Sequence, residues 1–212
     1  MTLSSKSTSP KNLLLIFTRN PELGKCKTRL AAKVGDHAAL EIYSFLLEHT
    51  HAITKDVKAA KEVHYSEEIW TNDIWENVHY HKKLQHGTDL GERMFNAFKN
   101  GFEAGYKNII IIGSDMYDLS TDDLNAAFDE LQKNEFVIGP AEDGGYYLLG
   151  LSKINASLFK NKAWGTDTVL TDTLNDLNNE KIKLLKIKND VDHYEDIQYI
   201  EAFQPFLKNI KI

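Results

Sequence analysis

The sequence predicts an α/β fold in which a mainly parallel sheet is covered by helices on both faces. Short apolar runs of strand length, such as residues 13–17 and 109–112, alternate with longer amphipathic segments along nearly the whole chain. This alternation is typical of strand–helix–strand units, which build parallel sheets. Ligands of such sheets bind beyond the carboxyl ends of the strands, so we expect functional residues in the loops that follow strands.

Strands are predicted from the apolar runs. They cover residues 13–18, 61–65, 78–84, 108–112, 136–138, 146–151 and 182–187. Helices are predicted from one-sided apolar spacing and from Ser, Thr or Asp near their starts. They cover residues 36–50, 89–102, about 120–133, 168–177 and 195–207. A further helix is expected to begin near Thr28.

Length and composition predict one globular domain. The chain has 212 residues, of which 42% are hydrophobic and 26% charged, and no repeat or linker interrupts it. We expect residues 1–10, which are rich in Ser and Thr, to form a flexible lead and residues 11–212 to form the domain. No apolar run approaches the roughly 18 residues that suggest a membrane span. With no signal segment and a single cysteine, Cys26, a cytoplasmic location is expected.

Basic residues cluster in the loop after the first predicted strand. The net charge of −6 argues against a general affinity for nucleic acid or anionic membranes, but this loop contains Arg19, Lys25, Lys27 and Arg29. Arginine and lysine suit phosphate oxygens, so the loop is predicted to bind phosphate. A solvated basic loop is the alternative. The loop has neither the P-loop spacing nor the glycine fingerprint of dinucleotide-binding proteins.

Acidic residues follow two other predicted strands. Asp115 comes after Gly113-Ser114 at the end of the fourth strand, with Asp118 three residues on, and Asp190 and Asp192 follow the last strand. An aspartate at a strand end with another carboxylate three residues on, as at Asp115 and Asp118, can hold Mg²⁺ or Mn²⁺, which would neutralise and orient a pyrophosphate. Asp118 could equally cap the following helix or turn. Capping and the helix dipole account for Glu195 and Asp196 at the start of the last predicted helix, but less well for Asp190 and Asp192, which precede them.

Glycine-containing segments suggest close approach to a ligand. Asp143 precedes the pair Gly144-Gly145, which would let the backbone pass near an acceptor. A tight turn, with Asp143 bonded to its own backbone and Gly145 at positive φ, is the alternative. Gln85 could bind a base edge that lies close to Gly87, whereas a capped helix start is the alternative there.

Six motifs in order over about residues 12–200 resemble those of the bacterial rSAM/selenodomain-associated transferase 1 family. They are Pro21-x-x-Gly24-x-x-Lys27-Thr28-Arg29-Leu30, Gly87-x-Asp89-Leu90-Gly91-x-Arg93-Met94, Gly113-Ser114-Asp115, Gly139-Pro140-Ala141-Glu142-Asp143-Gly144-Gly145-Tyr146-Tyr147-Leu148-Leu149-Gly150, Trp164-Gly165-Thr166 and Asp190-Val191-Asp192. This family is related to the 2-phospholactate guanylyltransferases and, more distantly, to the molybdenum-cofactor guanylyltransferases.

The resemblance implies a three-layer α/β/α nucleotide-diphospho-sugar transferase fold of the glycosyltransferase-A type, with a mainly parallel mixed sheet. It also implies a role for each motif. Phosphate and base contacts would come from Arg19, Lys27, Arg29, Gln85 and Gly87. The metal, Mg²⁺ or Mn²⁺, would bind Asp115 and Asp192. The acceptor side would contain Asp143, Gly144, Gly145, Tyr146 and Trp164. Asp115, Asp143 and Lys27 are the predicted catalytic residues.

The predicted activity is metal-dependent transfer from a nucleotide-activated donor. The donor is either a nucleotide-sugar, which gives glycosyl transfer, or a nucleoside triphosphate, which gives nucleotidyl transfer. The acceptor is a small phosphorylated or hydroxylated molecule. One residue departs from the family pattern, because Tyr117 stands where the family usually has proline. A non-catalytic nucleotide-binding or scaffold protein that retains the fold is therefore the alternative.

Overall fold

The computed structural model describes residues 11–208. Within these residues, seven strands form one mixed sheet. The strand order is β3-β2-β1-β4-β6-β5-β7. The strands are β1 (Asn12–Thr18), β2 (Ala60–Tyr65), β3 (His81–Leu84), β4 (Asn108–Ile112), β5 (Phe136–Pro140), β6 (Tyr146–Leu151) and β7 (Ile182–Leu184). Among the strands of the described residues, only β6 is antiparallel to its neighbours, β4 and β5. The flexible lead expected at residues 1–10 lies outside the described residues.

Helices cover both faces of this sheet. They are α1 (Thr28–Val34), α2 (Asp36–Lys55), α3 (Leu90–Glu103), α4 (Thr121–Leu131), α5 (Val169–Asp176) and α6 (Gln204–Leu207). Alternate residues of β1 face opposite ways, so that Leu14 packs in the core beneath α2 and α4, while Leu13 packs against α3. A third apolar cluster joins α1 and α2 to Phe203 near the end of the described chain. The predicted α/β/α layers are confirmed.

Two predicted elements differ from the structure for identifiable reasons. The long helix predicted at 195–207 is replaced by two short 3₁₀ turns and α6, which begins only at Gln204. Pro205 explains the difference, because proline lacks a backbone donor and is tolerated only in the first turn of a helix. The strand predicted from Val78 begins instead at His81, because Tyr80 donates its backbone N–H to Glu76 in a turn.

The carboxyl ends of β1 and β4 lie side by side, which places the basic loop after β1 beside the Gly113-Ser114-Asp115 loop after β4. The amino end of β6 lies at the same edge because this strand is antiparallel. The chain after β7 also returns there, since Val191 donates its backbone N–H to the Asp115 carbonyl. In the described residues no helix is long and apolar enough to cross a membrane.

Candidate active site

Lys27 joins the two acidic loops at this edge of the sheet. Its Nζ lies 2.7 Å from Asp115 Oδ2 and 3.8 Å from Asp192 Oδ1. The sum of these distances, about 6.5 Å, is therefore an upper limit for the separation of the two carboxylate oxygens. Arg29 adds a second cation, with Nη1 2.5 Å from Asp192 Oδ2. The expected meeting of Asp115 and Asp192 is thus confirmed, while their role as metal ligands stays a prediction.

The backbone of Lys27 is held in an uncommon conformation. Its φ and ψ are 50° and 46°, in the left-handed region that residues other than glycine rarely adopt. Such residues concentrate at functional sites, where the surrounding structure offsets the strain. The side chain is only 6% exposed. Burial acts to lower the pKa of Lys27, but the charges of Asp115, Asp192 and Asp190 outweigh it and raise that pKa, so the ammonium stays charged.

A buried hydroxyl network fixes the loop that carries Asp115. Tyr43 Oη lies 3.1 Å from Ser114 Oγ and 3.2 Å from Thr18 Oγ1, and it accepts a 2.9 Å hydrogen bond from the Arg19 backbone N–H. One side chain of α2 therefore ties the end of β1 to the end of β4. A Cβ on Gly113 would lie 2.8 Å from Asp115 Oδ1, so a side chain there would displace the Asp115 carboxylate.

Asp190 belongs to the same acidic group, although the sequence did not single it out as a site residue. Burial raises its pKa to about 6, and the charges of Asp115 and Asp143 add to the effect, while Lys27 opposes it. The sequence feature that could have identified Asp190 is its position two residues before Asp192, because an aspartate there is not needed to cap the following turn.

The larger cavity at this edge, about 780 Å³, is lined by five basic side chains. They are Arg19, Lys25, Lys27, Arg29 and Arg93. Arg93 was not predicted. Its Nε donates to the Gly87 carbonyl at 3.1 Å, and the signal for it was its place in the helix-starting motif that contains Gly87.

The two residues predicted to lie near a base have different positions. Gln85 lines the large cavity, but its Nε2 donates to the carbonyls of His64, at 2.9 Å, and Thr18, at 3.3 Å. Gly87 does not line the cavity. A Cβ on Gly87 would lie 2.7 Å from the Arg93 backbone nitrogen, and its φ is +147°. The glycine therefore serves the close packing of the loop on the start of α3.

A second cavity, about 260 Å³, lies beside the first and contains most of the predicted acceptor residues. Asp143, Gly145, Tyr146 and Trp164 line it together with Asp115. Gly144 does not. Its φ is +86°, and a Cβ there would lie 2.3 Å from the Asp167 carbonyl oxygen. Gly144 thus lets this segment pack against the chain that follows Trp164.

The Asp143 segment combines the two alternatives that the sequence left open. Asp143 Oδ1 accepts the Gly145 backbone N–H at 2.8 Å, so a local turn is formed. The same Asp143 also lines the cavity with Asp115. The positive φ expected at Gly145 belongs to Gly144 instead, because Gly144 is the residue that turns the chain.

Three residues that the sequence drew attention to have no part in this chemistry. Asp118 is 68% exposed and pairs with Lys188 at 3.5 Å, so it does not join Asp115 as a ligand. Tyr117 lines neither cavity and packs against Phe203, with ring centroids 4.9 Å apart. Cys26 lines the large cavity but is buried, and burial raises the pKa of its thiol, which disfavours the reactive thiolate.

Asp115 and Asp192 are suited to a hard divalent cation. Their oxygens already lie around one positive group, the Lys27 ammonium. Mg²⁺ typically takes one or two carboxylates and completes its shell with water and substrate phosphates. No group of three or more His, Cys, Asp or Glu side chains within residues 11–208 is placed to hold a metal without such additional ligands.

A family model matches residues 49–166, which is more than half of the chain, and it is described as "Uncharacterized protein conserved in bacteria (DUF2064)". The chain belongs to this family. The matched region contains Asp115, Asp143 and Trp164, and it ends before Asp190. A search of curated proteins finds no match.

Solved structures share the fold over most of the chain. A Desulfovibrio desulfuricans G20 protein, provisionally described as a nucleotide-diphospho-sugar transferase, is 30% identical, with 86% of this chain and 83% of that one covered at a TM-score of 0.81. The manganese complex of Rv0371C from Mycobacterium tuberculosis H37Rv is 10% identical, with 94% and 99% covered at 0.54. CMP:2-keto-3-deoxy-manno-octonic acid synthetase complexed with CTP is 10% identical, with 92% and 98% covered at 0.55. The fold is that of the nucleotide-diphospho-sugar transferases, the glycosyltransferase-A type.

Proposed function

We propose that this DUF2064 protein is a transferase that moves a group from a nucleotide-activated donor to a small acceptor. The observation that carries the proposal is the meeting of the two cavities at Asp115. Phe17, Leu90, Gly113 and Asp115 line both of them. A donor in the large cavity and an acceptor in the small one would therefore be side by side, which is the positioning that accelerates a transfer between two molecules.

The large cavity is the donor site. Five basic side chains around about 780 Å³ favour the phosphates of a nucleoside triphosphate or a nucleotide-sugar. Lys27 and Arg29 are the phosphate contacts nearest the acids, and Arg19 and Arg93 extend the positive surface. The names of the structural neighbours, which include a cytidylyl-sugar synthetase bound to CTP, support the same class of donor.

Asp115 and Asp192 would hold Mg²⁺ or Mn²⁺, which would neutralise negative charge on the phosphates. The manganese complex of one structural neighbour supports this cofactor. In either version of the reaction an acceptor oxygen forms a bond to the transferred group, and the bond from that group to a phosphate oxygen breaks. The leaving phosphate oxygen keeps the electron pair, and Lys27 and Arg29 are placed to stabilise its charge. Asp143 lies on the acceptor side, where it can bind the attacking group or receive its proton.

Two reactions share these parts, namely glycosyl transfer from a nucleotide-sugar and nucleotidyl transfer from a nucleoside triphosphate. The 30% identical relative, with its provisional sugar-transferase description, favours the first. The resemblance to the rSAM/selenodomain-associated transferases supports the same class. The non-catalytic alternative rested on Tyr117, and that residue packs away from both cavities.

A thermal-shift screen tests the donor site. Nucleoside triphosphates and nucleotide-sugars are added singly, each with and without Mn²⁺. A ligand that binds the folded state raises the melting temperature by mass action, by an amount that corresponds to roughly 2.7 kcal/mol at 100 times its Kd. We expect stabilisation by at least one nucleotide, larger with Mn²⁺, and loss of this effect in Arg29→Ala. Lys33→Ala, on the exposed side of α1, is the matched control. Absence of stabilisation by every nucleotide would contradict the proposal.

A further inference from the structure

Among the described residues, the charged side chains that line the small cavity are all acidic. Among the described residues that line it, three are carboxylic acids, namely Asp115, Asp143 and Asp190, and none is Lys, Arg or His. The adjoining large cavity, in contrast, is lined by five basic side chains. Phosphate and carboxylate ligands are normally bound by Arg, Lys or free backbone N–H groups. In the small cavity the Gly145 N–H is already donated to Asp143.

The cations nearby do not reverse this charge. Lys27 lies against Asp115 and Asp192 and is not part of the lining of the small cavity. A divalent ion held by Asp115 and Asp192 would neutralise Asp115, but Asp143 would keep its charge and Asp190 would be opposed only by the nearby charge of Lys27. An anionic acceptor would therefore face like charges at close range, which disfavours binding.

The walls of the small cavity are largely apolar. Trp164, Phe17, Met94 and Val169 all contribute to the lining. The Trp164 ring is packed closely on α3, since a Cβ on Gly91 would lie 2.7 Å from its ring. The cavity of about 260 Å³ falls just below the roughly 300–1,000 Å³ that is usual for ligand pockets, so it suits a small molecule.

Tyr146 adds a buried hydroxyl beside the small cavity. It lines the small cavity, and its hydroxyl is buried with no hydrogen-bond partner among the described residues. Buried polar groups are nearly always paired, and an unpaired one costs roughly 1–3 kcal/mol. Because this hydroxyl has essentially no accessible surface, a ligand in the cavity would contact it only after the Tyr146 ring moved.

We propose that the acceptor is a small alcohol, with or without an amino group beside the hydroxyl, that has an apolar body and no phosphate or carboxylate group. This inference rests on the proposed function, because that function assigns the acceptor to the small cavity. Of the two acceptor classes that the sequence left open, it selects the hydroxylated one. The carboxylates of Asp143 and Asp190 would bind its hydroxyl or ammonium group, and Trp164 would cover its apolar body.

Three probes with the same ring and different head groups test the inference. They are benzyl alcohol, benzylamine and phenyl phosphate, which are neutral, cationic and anionic. Each is titrated into the full-length protein, and binding is followed at the backbone amides of Gly145 and Gly165, which line only the small cavity. Inorganic pyrophosphate is present throughout to occupy the basic cavity. We expect benzylamine and benzyl alcohol to shift these two amides and phenyl phosphate to leave them unchanged.

Matched variants locate the effect. Asp143→Asn keeps the oxygen that accepts the Gly145 N–H and removes only the charge, whereas Glu142→Gln makes the same change one residue away and outside the cavity. We expect Asp143→Asn to weaken the binding of benzylamine at least threefold and to have little effect on the binding of benzyl alcohol. Glu142→Gln should leave the binding of both probes unchanged. Equal unfolding temperatures exclude loss of the fold as the cause.

The outcomes separate this inference from the proposed function. Phenyl phosphate binding at Gly145 and Gly165, or no binding by any probe, would overturn the acceptor class even if nucleotides stabilise the protein. Selective binding of the amine and the alcohol without any nucleotide effect would refute the donor site and still establish the preference of the small cavity.

Discussion

The Lys27 ammonium lies 2.7 Å from the Asp115 carboxylate, so the chain places its own cation where a divalent ion is expected. A metal between Asp115 and Asp192 must displace this ammonium or share the carboxylates with it. Lys27 would then be free to contact phosphate oxygens, which favours binding of the metal together with the nucleotide. The left-handed backbone of Lys27 holds its side chain between the two acidic loops.

We predict that Lys27→Met binds Mn²⁺ more tightly than the unaltered protein when nucleotide is absent. Removal of the ammonium leaves Asp115 and Asp192 as two close, uncompensated carboxylates, and a cation relieves their repulsion. The contact between Lys27 and Asp115 is charge-assisted, and such a contact contributes about 1.5–3 kcal/mol. Because Mn²⁺ no longer has to compete with it, the Kd for Mn²⁺ should fall roughly 10-fold or more. Electron paramagnetic resonance of free Mn²⁺ measures this affinity directly.

Lys25→Met is the control for the manganese experiment, because Lys25 lies in the same loop but pairs with Glu22 and Glu67 instead. It should leave the affinity unchanged. Equal or weaker Mn²⁺ binding by Lys27→Met would show that these carboxylates are not a metal site.

Arg29→Ala should weaken nucleotide affinity far more than stability. The Arg29 side chain is 59% exposed, and exposed ion pairs contribute roughly 0–1 kcal/mol to folding. A hydrogen bond to a charged phosphate contributes about 1.5–3 kcal/mol, so we expect a loss of roughly 10- to 100-fold in affinity. Calorimetric titration with the nucleotide found by the screen measures it. Unchanged affinity would remove Arg29 from the phosphate site.

Asp190→Asn should stabilise the nucleotide-free and metal-free protein, and the gain should depend on pH. The pKa of Asp190 is raised from an ordinary 3.8 to about 6, so between these values the folded state binds more protons than the unfolded state. Stability therefore falls as pH rises through this window, and the full cost is present above about pH 6. Asparagine carries no charge, so its advantage should be largest at pH 7.5 and should shrink as pH falls toward 4.

Thermal unfolding with EDTA tests the prediction for Asp190. We expect an increase of about 2–4 °C at pH 7.5, which roughly 1 kcal/mol produces in a chain of this size. This figure allows for partial screening of Asp190 by solvent. The same change in Glu195, an exposed residue of the following turn, is the control. An increase that persists undiminished at pH 4 would show that the charge of Asp190 is not its cause.

The sequence predicted the fold and the strand ends because both depend on local patterns. The run at residues 108–112 predicted β4 correctly, and the position of Asp115 just beyond it placed that residue at the functional edge. Parallel pairing of β1 and β4 then brings Lys27 and Asp115 together, although they are far apart in the chain. The meeting of Asp115 with Asp192 depended on the family resemblance, because no local pattern connects those two loops.

Contacts between distant segments could not be predicted from local patterns. Gly87 and Gly144 were expected near ligands, but a Cβ on either would collide with protein backbone, at Arg93 and Asp167 respectively. A glycine needed for packing and a glycine needed for a ligand look the same in a sequence. Arg93 was missed for a related reason, since its place in the motif that contains Gly87 indicates the start of a helix and does not by itself indicate the cavity beside it.

Tyr117→Ala should destabilise the protein and leave nucleotide affinity unchanged. The Tyr117 ring packs against Phe203, Phe45 and His49, with centroids 4.9, 5.8 and 5.0 Å apart, and it joins the loop after β4 to α2 and the C-terminal segment. Truncation of a fully buried aromatic residue costs about 3–5 kcal/mol, so roughly 1–3 kcal/mol is expected for this partly buried one. Tyr199→Ala is the matched control, because that ring is 90% exposed. Urea unfolding measures the free energy, and calorimetric titration measures the affinity. A stable Tyr117→Ala protein with weakened nucleotide binding would instead assign Tyr117 to the donor site, and it would restore the significance of the missing family proline.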